Sequence, residues 1–301
     1  MTAGVICAGT AVLDQVYAVD ALPSVAGKHF ARAYEERPGG PSAIAAATVA
    51  RLGGAAAWWG RVGEDDAGTR LLDALAGAGV DTGAARRVPG GRTPVSAVVI
   101  DAAGERLIVN FTDRGLDPDP GFLPLGRIAD AGAVLADSRW PAGGRAVLAA
   151  ARAAGVPAVL DADATPDGAA GTLMGHASHV VFSAQGLVQT TGERDPSAGL
   201  AAARSLSDAF LAVTLGPAGC LHDGPDGQGH VPAVPVRAVD TLGAGDVFHG
   251  AFALALAEGR DAVAALAFAS TAAAAKCAAG GGLAALPDRA RLDALAQETV
   301  S

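Results

Sequence analysis

The chain is short of cysteine, of lysine and of long apolar runs, and each shortage excludes something. Its 301 residues include 3 cysteines. Cys7, Cys220 and Cys277 are far apart and odd in number. They fit neither a disulfide framework nor a paired zinc site, and they point to a reducing cytoplasm. Lysine occurs only as Lys28 and Lys276, so the basic residues are almost all arginine. The formal charge is −9 and no basic tract is present. That balance argues against nucleic acid or an anionic membrane surface as a partner. The Ala-rich run 262–275 falls short of the roughly 18 apolar residues that a membrane span needs. The stretch Met-Thr-Ala-Gly-Val-Ile-Cys lacks a basic n-region, so a signal peptide is not expected and the expected location is cytoplasmic. Neither lysine is followed by Ser or Thr, which rules out a P-loop. No Gly-x-Ser-x-Gly elbow occurs. His176 and His179 lie three apart without a cysteine or clear carboxylate partner, and read as a surface pair rather than a zinc site.

What is present is enough apolar sequence for a large core, 50% of the residues. Val5 to Gly9 reads as a buried strand. Asp14 follows it, at the edge where ligands collect in open α/β sheets, or as a solvated loop carboxylate. Residues 15–38 and 93–112 show no helical period. Val95 to Ile100 and Arg106 to Phe111 flank Asp101-Ala102-Ala103-Gly104-Glu105, a hairpin signal. Gly39-Gly40-Pro41 reads as a turn before an Ala-rich helix from Ser42, with Ser42 as its N-cap. Gly60 to Gly68 reads as a strand end and helix cap, and Trp58-Trp59 as strand packing. From Val134 onward, strands alternate with helices: Val134 to Asp137, a helix over 141–154, Pro157 to Asp161, Val180 to Phe182, a helix near 196–207, then Phe210 to Leu215. Helices over 261–279 and 288–299 follow. This alternation predicts a parallel sheet with helices on both faces. No repeat of roughly 20–50 residues and no linker divides the chain, so one domain over 1–301 is expected.

The chemistry concentrates in residues 236–252. Asp240 and Thr241 follow a β-branched run, Gly243, Ala244 and Gly245 form a small-residue turn, and Asp246 opens an apolar helix. Such a turn lets backbone approach a ligand, and helix-start N–H groups favour anions. An Asp there would repel phosphate, but it could take a proton from a hydroxyl attacking one. As residues alone, Gly-x-Gly-Asp is also an ordinary Asp N-cap. His249, on the same helix, reads as a packing residue.

The longer pattern Asp-Thr-Leu-Gly-Ala-Gly-Asp-x-Phe resembles the C-terminal signature of the ribokinase-like (PfkB) carbohydrate kinases. The resemblance covers essentially the whole chain. It implies an α/β, ribokinase-like fold whose 15–38 and 93–112 segments form a small β-sheet lid, closing over the sugar and pairing two chains as a homodimer. It makes Asp246 the catalytic base, with Gly243, Ala244 and Gly245 as the anion hole, and Asp14, Gly39 and Gly40 as sugar contacts. Thr214, Gly216 and Gly219 match the nucleotide loop, although that stretch alone is also an ordinary turn. Cys277 and Gly280 to Gly282 would lie near adenine. The cofactors implied are ATP and Mg²⁺. Two departures stand out. Ile44 replaces the usual sugar-binding Asn. Ser183-Ala184-Gln185-Gly186 stands where Asn-x-x-Glu organises the metal, so no metal ligand is named.

Within the family the chain looks closest to the 6-deoxy-6-sulfofructose kinases. The matching stretches are Gly27-Lys28, Gly39-Gly40-Pro41, Leu107 to Asn110, Leu135 to Trp140, Phe182-Ser183 and Gly245 to Ala251. Lys28, Asn110 and Arg139 would then hold an anionic group at C6 of a ketose phosphorylated at C1. Arg supplies a rigid fork and Lys a point charge. The residues alone equally allow Arg139 to pair with a structural carboxylate and Lys28 to be solvated. The rival readings are a fructokinase, phosphofructokinase or other sugar or nucleoside kinase, and a non-catalytic sugar or nucleotide sensor.

Overall fold

The structure is a computed structural model that describes residues 4–300. Its apolar, β-branched runs form a parallel sheet, because strands covered on both faces need apolar residues at every position. The first half contributes β1 (Gly4–Gly9), β2 (Val12–Ala18), β3 (Ala33–Gly39), α1 (Pro41–Arg51), β4 (Ala55–Gly63), α2 (Asp66–Gly77), β5 (Val80–Asp81), β6 (Arg86–Val88), β7 (Val95–Ile100) and β8 (Arg106–Phe111). The second contributes β9 (Ala133–Asp137), α3 (Pro141–Ala153), β10 (Ala158–Ala162), α4 (Ala169–Leu173), β11 (His179–Ser183), α5 (Ala184–Thr191), α6 (Pro196–Arg204), β12 (Phe210–Thr214), β13 (Cys220–Gly224), β14 (Gly227–Val231), α7 (Ala244–Ala257), α8 (Ala262–Ala278) and α9 (Arg289–Val300).

The main sheet runs β14-β13-β12-β11-β10-β9-β1-β4-β5, with β6 beside β4. It is parallel except for the β12-β13-β14 edge. That edge hairpin has no counterpart in the sequence reading. Side chains alternate across the sheet. Val5, Cys7, Trp58, Leu135, Val159 and Val181 pack with α1, α2, α7, α8 and α9. Ile6, Ala8, Trp59, Val134, Ala136 and Leu160 pack with α3 to α6 on the other face. Trp58 and Trp59 are fully buried, one in each layer.

A second sheet, β3-β2-β7-β8, stands apart from the first. It comprises the expected lid segments, and the 95–111 hairpin forms as read. Asp14 lies within β2 rather than in a loop after β1. Asp65 caps α2 through the Gly68 N–H at 2.8 Å.

Two local expectations are corrected. Ser42 does not cap α1; Gly40 does, with φ 94°, and Pro41 occupies the first turn. Proline at that position needs no N–H partner and presets the helical φ. Ser42 is instead buried, donating to Thr10 O at 3.2 Å and accepting from Trp58 Nε1 at 3.1 Å. His176 and His179 are not a surface pair. His179 is wedged beside Phe210 and Phe252, and burial lowers its pKa to about 4. Among the described residues no helix is long and apolar enough to cross a membrane.

Candidate active site

The site forms where the C-terminal ends of β1, β9 and β10 meet the start of α7 and the inner face of the lid. Gly243 precedes α7 with φ 78°, a backbone state that costs a side chain energy and glycine nothing. That turn places Asp246 in the first turn of α7. On the lid, strand register lines up four polar residues. Arg37 on β3 faces Asp14 on β2, Asp14 faces Ser96 on β7, and Ser96 faces Asn110 on β8. Alternation puts this row on one face of the sheet. Asn110 Nδ2 donates to Ser96 Oγ at 3.1 Å. The Asp14 carboxyl lies over Gly39, where a Cβ would come within 2.2 Å of Oδ2. Gly39, the last residue of β3, is therefore fixed by the approach of Asp14.

Asp14, Gly39, Gly40, Gly243 and Asp246 line one cavity of ≈ 60 Å³. Ile44 lines it too, an apolar wall where the family pattern carries an amide. Next to it is a larger cleft of ≈ 530 Å³, lined by Thr214, Gly216, Gly219, Ala244, Gly245 and Cys277. All four residues read as nucleotide contacts thus lie on one cleft, and it adjoins the turn before Asp246. Its other walls include Val234, Val236 and Phe248, apolar enough to hold a base.

Burial raises the Asp246 pKa to about 7, and Asp161 adds repulsion, while His249 and Arg139 pull the other way. Asp161, 5% exposed at the end of β10, is pushed well above the usual carboxylate range, first by burial and then by Asp163 and Asp137. His249 packs beneath. Its Nδ1 lies 2.8 Å from Gly245 O, and its Nε2 lies 3.2 Å from Val181 O and 3.5 Å from Asp161 Oδ1. Burial lowers the His249 pKa. Both partners are thus driven toward their neutral forms, and His249 fastens the start of α7 to β11. Asp137 is buried and accepts N–H groups from Thr10 at 2.7 Å and Arg139 at 2.9 Å.

The three residues read as the anion set are not joined. Arg139 reaches Asp163 at 3.2 Å, although its charge is felt by both Asp14 and Asp246. Asn110 is held by Ser96 and by Thr112. Lys28 lies in the exposed segment between β2 and β3 and makes no hydrogen bond or ion pair among the described residues. The sequence reading missed Arg37 and Lys276, which both line the smaller cavity. Arg37 was findable in principle, since it faces Asp14 across β2–β3, but that register depends on contacts the sequence does not spell out.

Ser183 caps α5 through the Gly186 N–H at 2.9 Å and donates to Asp163 Oδ1 at 2.8 Å. Among the described residues no group of three or more Asp, Glu, His or Cys could hold a metal alone. Mg²⁺ does not need such a cage, because it takes one or two carboxylates together with substrate phosphates.

The model of pfkB family carbohydrate kinases matches residues 2–289. The ribokinase of Bacillus subtilis (strain 168) is 30% identical over 296 residues, 95% of this chain and 97% of its own. A ribokinase-like protein from Agrobacterium tumefaciens has a solved structure with TM-score 0.95 and 39% identity, covering 100% of both chains. A ribokinase of Arabidopsis thaliana, solved with ribose and ATP, gives TM-score 0.85 at 26% identity over 98% of each chain. The chain belongs to the pfkB family of carbohydrate kinases.

Proposed function

We propose that this carbohydrate kinase moves the γ-phosphate of ATP to the C1 hydroxyl of a ketose carrying an anionic group at C6, most specifically 6-deoxy-6-sulfofructose. The observation that carries the phosphoryl-transfer reading is the place of Asp246. It lines the smaller cavity, half-buried, beside the small-residue turn that borders the larger cleft, with its pKa raised to about 7. A base is most effective when its pKa lies near the working pH.

In this reading the nucleotide occupies the larger cleft, as expected of an ATP-dependent carbohydrate kinase, and its terminal phosphate meets the backbone of Gly243 to Gly245. Asp14 orients the sugar hydroxyls. Asp246 takes the C1 proton as the oxygen attacks, and the turn stabilises charge on the phosphoryl oxygens. Mg²⁺, when bound with ATP, offsets the charge of the phosphates. The lid excludes water from the exchange. Two lid arginines already reach the turn: Arg37 Nη1 is 3.6 Å from Asp240 Oδ2, and Arg106 Nη1 donates to Thr241 Oγ1 at 3.0 Å.

The acceptor rests on Arg139 and Asn110. Arg139 lies close enough to Asp14 and Asp246 to shift both, and Asn110 ends the Arg37-Asp14-Ser96-Asn110 row. An incoming sulfonate would replace Asp163 on Arg139, and Lys28 would be drawn in from its exposed segment. The relatives' name, ribokinase, favours a neutral sugar instead, and so does the Arg139–Asp163 pair. Ile44 weighs against ribose, because it cannot hydrogen-bond a hydroxyl there.

ADP release with Mg-ATP across 6-deoxy-6-sulfofructose, fructose 6-phosphate, fructose, ribose and adenosine decides between them. The sulfonate should give the highest kcat/KM, with Asp246→Asn as the blank. Preference for fructose or ribose would refute the anionic acceptor. Nucleotide binding without any ADP release would refute turnover altogether and favour a sensor.

A further inference from the structure

The second lysine of the chain is buried. Lys276, near the end of α8, is 3% exposed. Its Nζ donates to Asp240 O at 3.0 Å and lies 3.4 Å from Asp240 Oδ2. It has no other protein acceptor among the described residues, and the side chain lines the cavity that holds Asp246 and Gly243. An ammonium carries three donors, and Asp240 supplies its only protein partners among the described residues.

Asp240 is the node of this arrangement. Its Oδ1 accepts the Leu242 N–H at 2.8 Å, which starts the turn leading to Gly243. Its own N–H and that of Val239 point to Cys277 O, at 3.2 and 2.7 Å, so the segment entering the turn is tied to the end of α8. From the lid, Arg37 Nη1 approaches the same carboxylate at 3.6 Å. A Cβ on Gly281 would overlap the Arg37 guanidinium and come within 2.8 Å of Asp240 Oδ2. Glycine at 281 therefore leaves the space in which the two groups meet.

Burying an ammonium is costly, and an apolar side chain of similar size would fill the same space more cheaply. Packing alone does not explain a lysine here. Position does: the charge stands beside the turn where phosphate charge accumulates, and it fixes the carboxylate that shapes that turn.

We propose that Lys276 is a positioning residue for phosphoryl transfer: its ammonium, acting through Asp240, sets the geometry of the turn 241–245 and adds positive potential beside it. Arg37 couples the same carboxylate to the lid, so closure over the sugar is registered at the turn. This rests on the reading of Asp246 and its turn as the transfer site.

The test is Lys276→Met, assayed with Mg-ATP and the best acceptor of the panel, beside Asp246→Asn. The expected result is a loss in kcat of about a hundredfold, the scale of one removed electrostatic contact. KM for the sugar should stay within about threefold, since that contact acts on the transition state. Added methylammonium should restore part of the kcat. A folded Lys276→Met enzyme with kcat within about threefold of the parent would overturn the proposal, and so would a lowered Tm with unchanged kcat. If Lys276→Met does not fold, Asp240→Asn keeps the shape of the node and removes its charge. It weakens the ion pair that holds the turn but leaves the ammonium in place, so kcat should fall by less than in Lys276→Met with KM little changed, and full activity there would overturn the proposal. An active Asp246→Asn would instead sink the transfer-site reading itself, so the two failures are distinguishable.

Discussion

At the α7 end of the active site, Asp246 is half-buried, the turn before it is fixed by Gly243 at φ 78°, and the buried His249 ties the helix start to β11. At the lid end, all six residues of β8 are exposed, Lys28 has no protein partner among the described residues, and Asn110 is held by a single neighbouring strand and Thr112. The first region is built from backbone and close packing. The second is built from side chains that project from a thin sheet. In the proposed function, the difference follows from what each must do. Phosphoryl transfer needs donors and a base held without reorganisation. Sugar recognition needs a surface that opens, admits ligand and closes.

The same difference explains what could be read from the sequence. The turn 240–246 is local: small residues, an Asp and an apolar helix follow one another, and the physical reasoning needs no distant partner. Thr214, Gly216, Gly219 and Cys277 were legible through resemblance, and they converge on one cleft. The parallel sheet was legible as a class, because buried parallel strands are apolar at every position. Ser42 was misread because Ser before an apolar run signals a cap, while Pro41 and a left-handed Gly40 had already started the helix. His179 was misread because burial by Phe210 and Phe252 is set by residues dozens of positions away. Arg37 and Lys276 escaped notice for a related reason. Their meaning lies in Asp240, which each reaches only in the folded chain.

The sharpest break of the comparison is Asp246→Asn. It should keep the fold and lower kcat by roughly 10⁴-fold or more, since it removes the proton acceptor and the charge that drives it. Turnover within tenfold of the parent would remove the base assignment. Titration gives a second arm. With the Asp246 pKa raised to about 7 by burial, kcat/KM of the parent should rise with pH through that region as the carboxylate ionises. Stability should move the other way. A carboxylate harder to ionise in the folded chain than in the unfolded one favours folding at low pH, and that contribution is lost as pH rises through the folded pKa. The Asn variant should therefore melt higher than the parent above about pH 7, with the gap narrowing toward the unfolded carboxylate range. A parent that gains stability across that window would contradict the raised pKa.

Arg139→Ala tests the boundary between the regions. It follows the end of a buried strand but serves the sugar side in the proposed function, and its present partner is the half-exposed Asp163. Against an anionic ketose the loss in kcat/KM should be about a hundredfold, the scale of a desolvated charge-assisted contact. Against fructose it should be within about threefold. Equal losses on both acceptors would mean that Arg139 only steadies Asp137, Asp161 and Asp163, and the anion reading would fall.

The smallest expected effect on chemistry belongs to the far face of the lid. Strand β8 is an edge strand, and alternation turns Leu107, Val109 and Phe111 away from the row that contains Asn110. They are 42%, 62% and 45% exposed, and Phe30 adds another apolar surface at 81%. An uncovered apolar edge invites pairing with a second chain, which is how sheet edges are protected or become liabilities. A homodimer through the lid would cover this face without touching the turn at α7. Val109→Glu places a charge at the most exposed of the three. It should convert the dimer to monomer in sedimentation at micromolar protein, while kcat falls only about two- to fivefold because Asp246 and its turn lie in the other region. The sugar KM should rise more than kcat falls, since the lid loses the partner that steadies it. A parent that sediments as a monomer would end the dimer reading. A dimer whose mutation abolished kcat would instead show that the two regions are one unit, and that the lid sets the geometry of the turn as firmly as the core does.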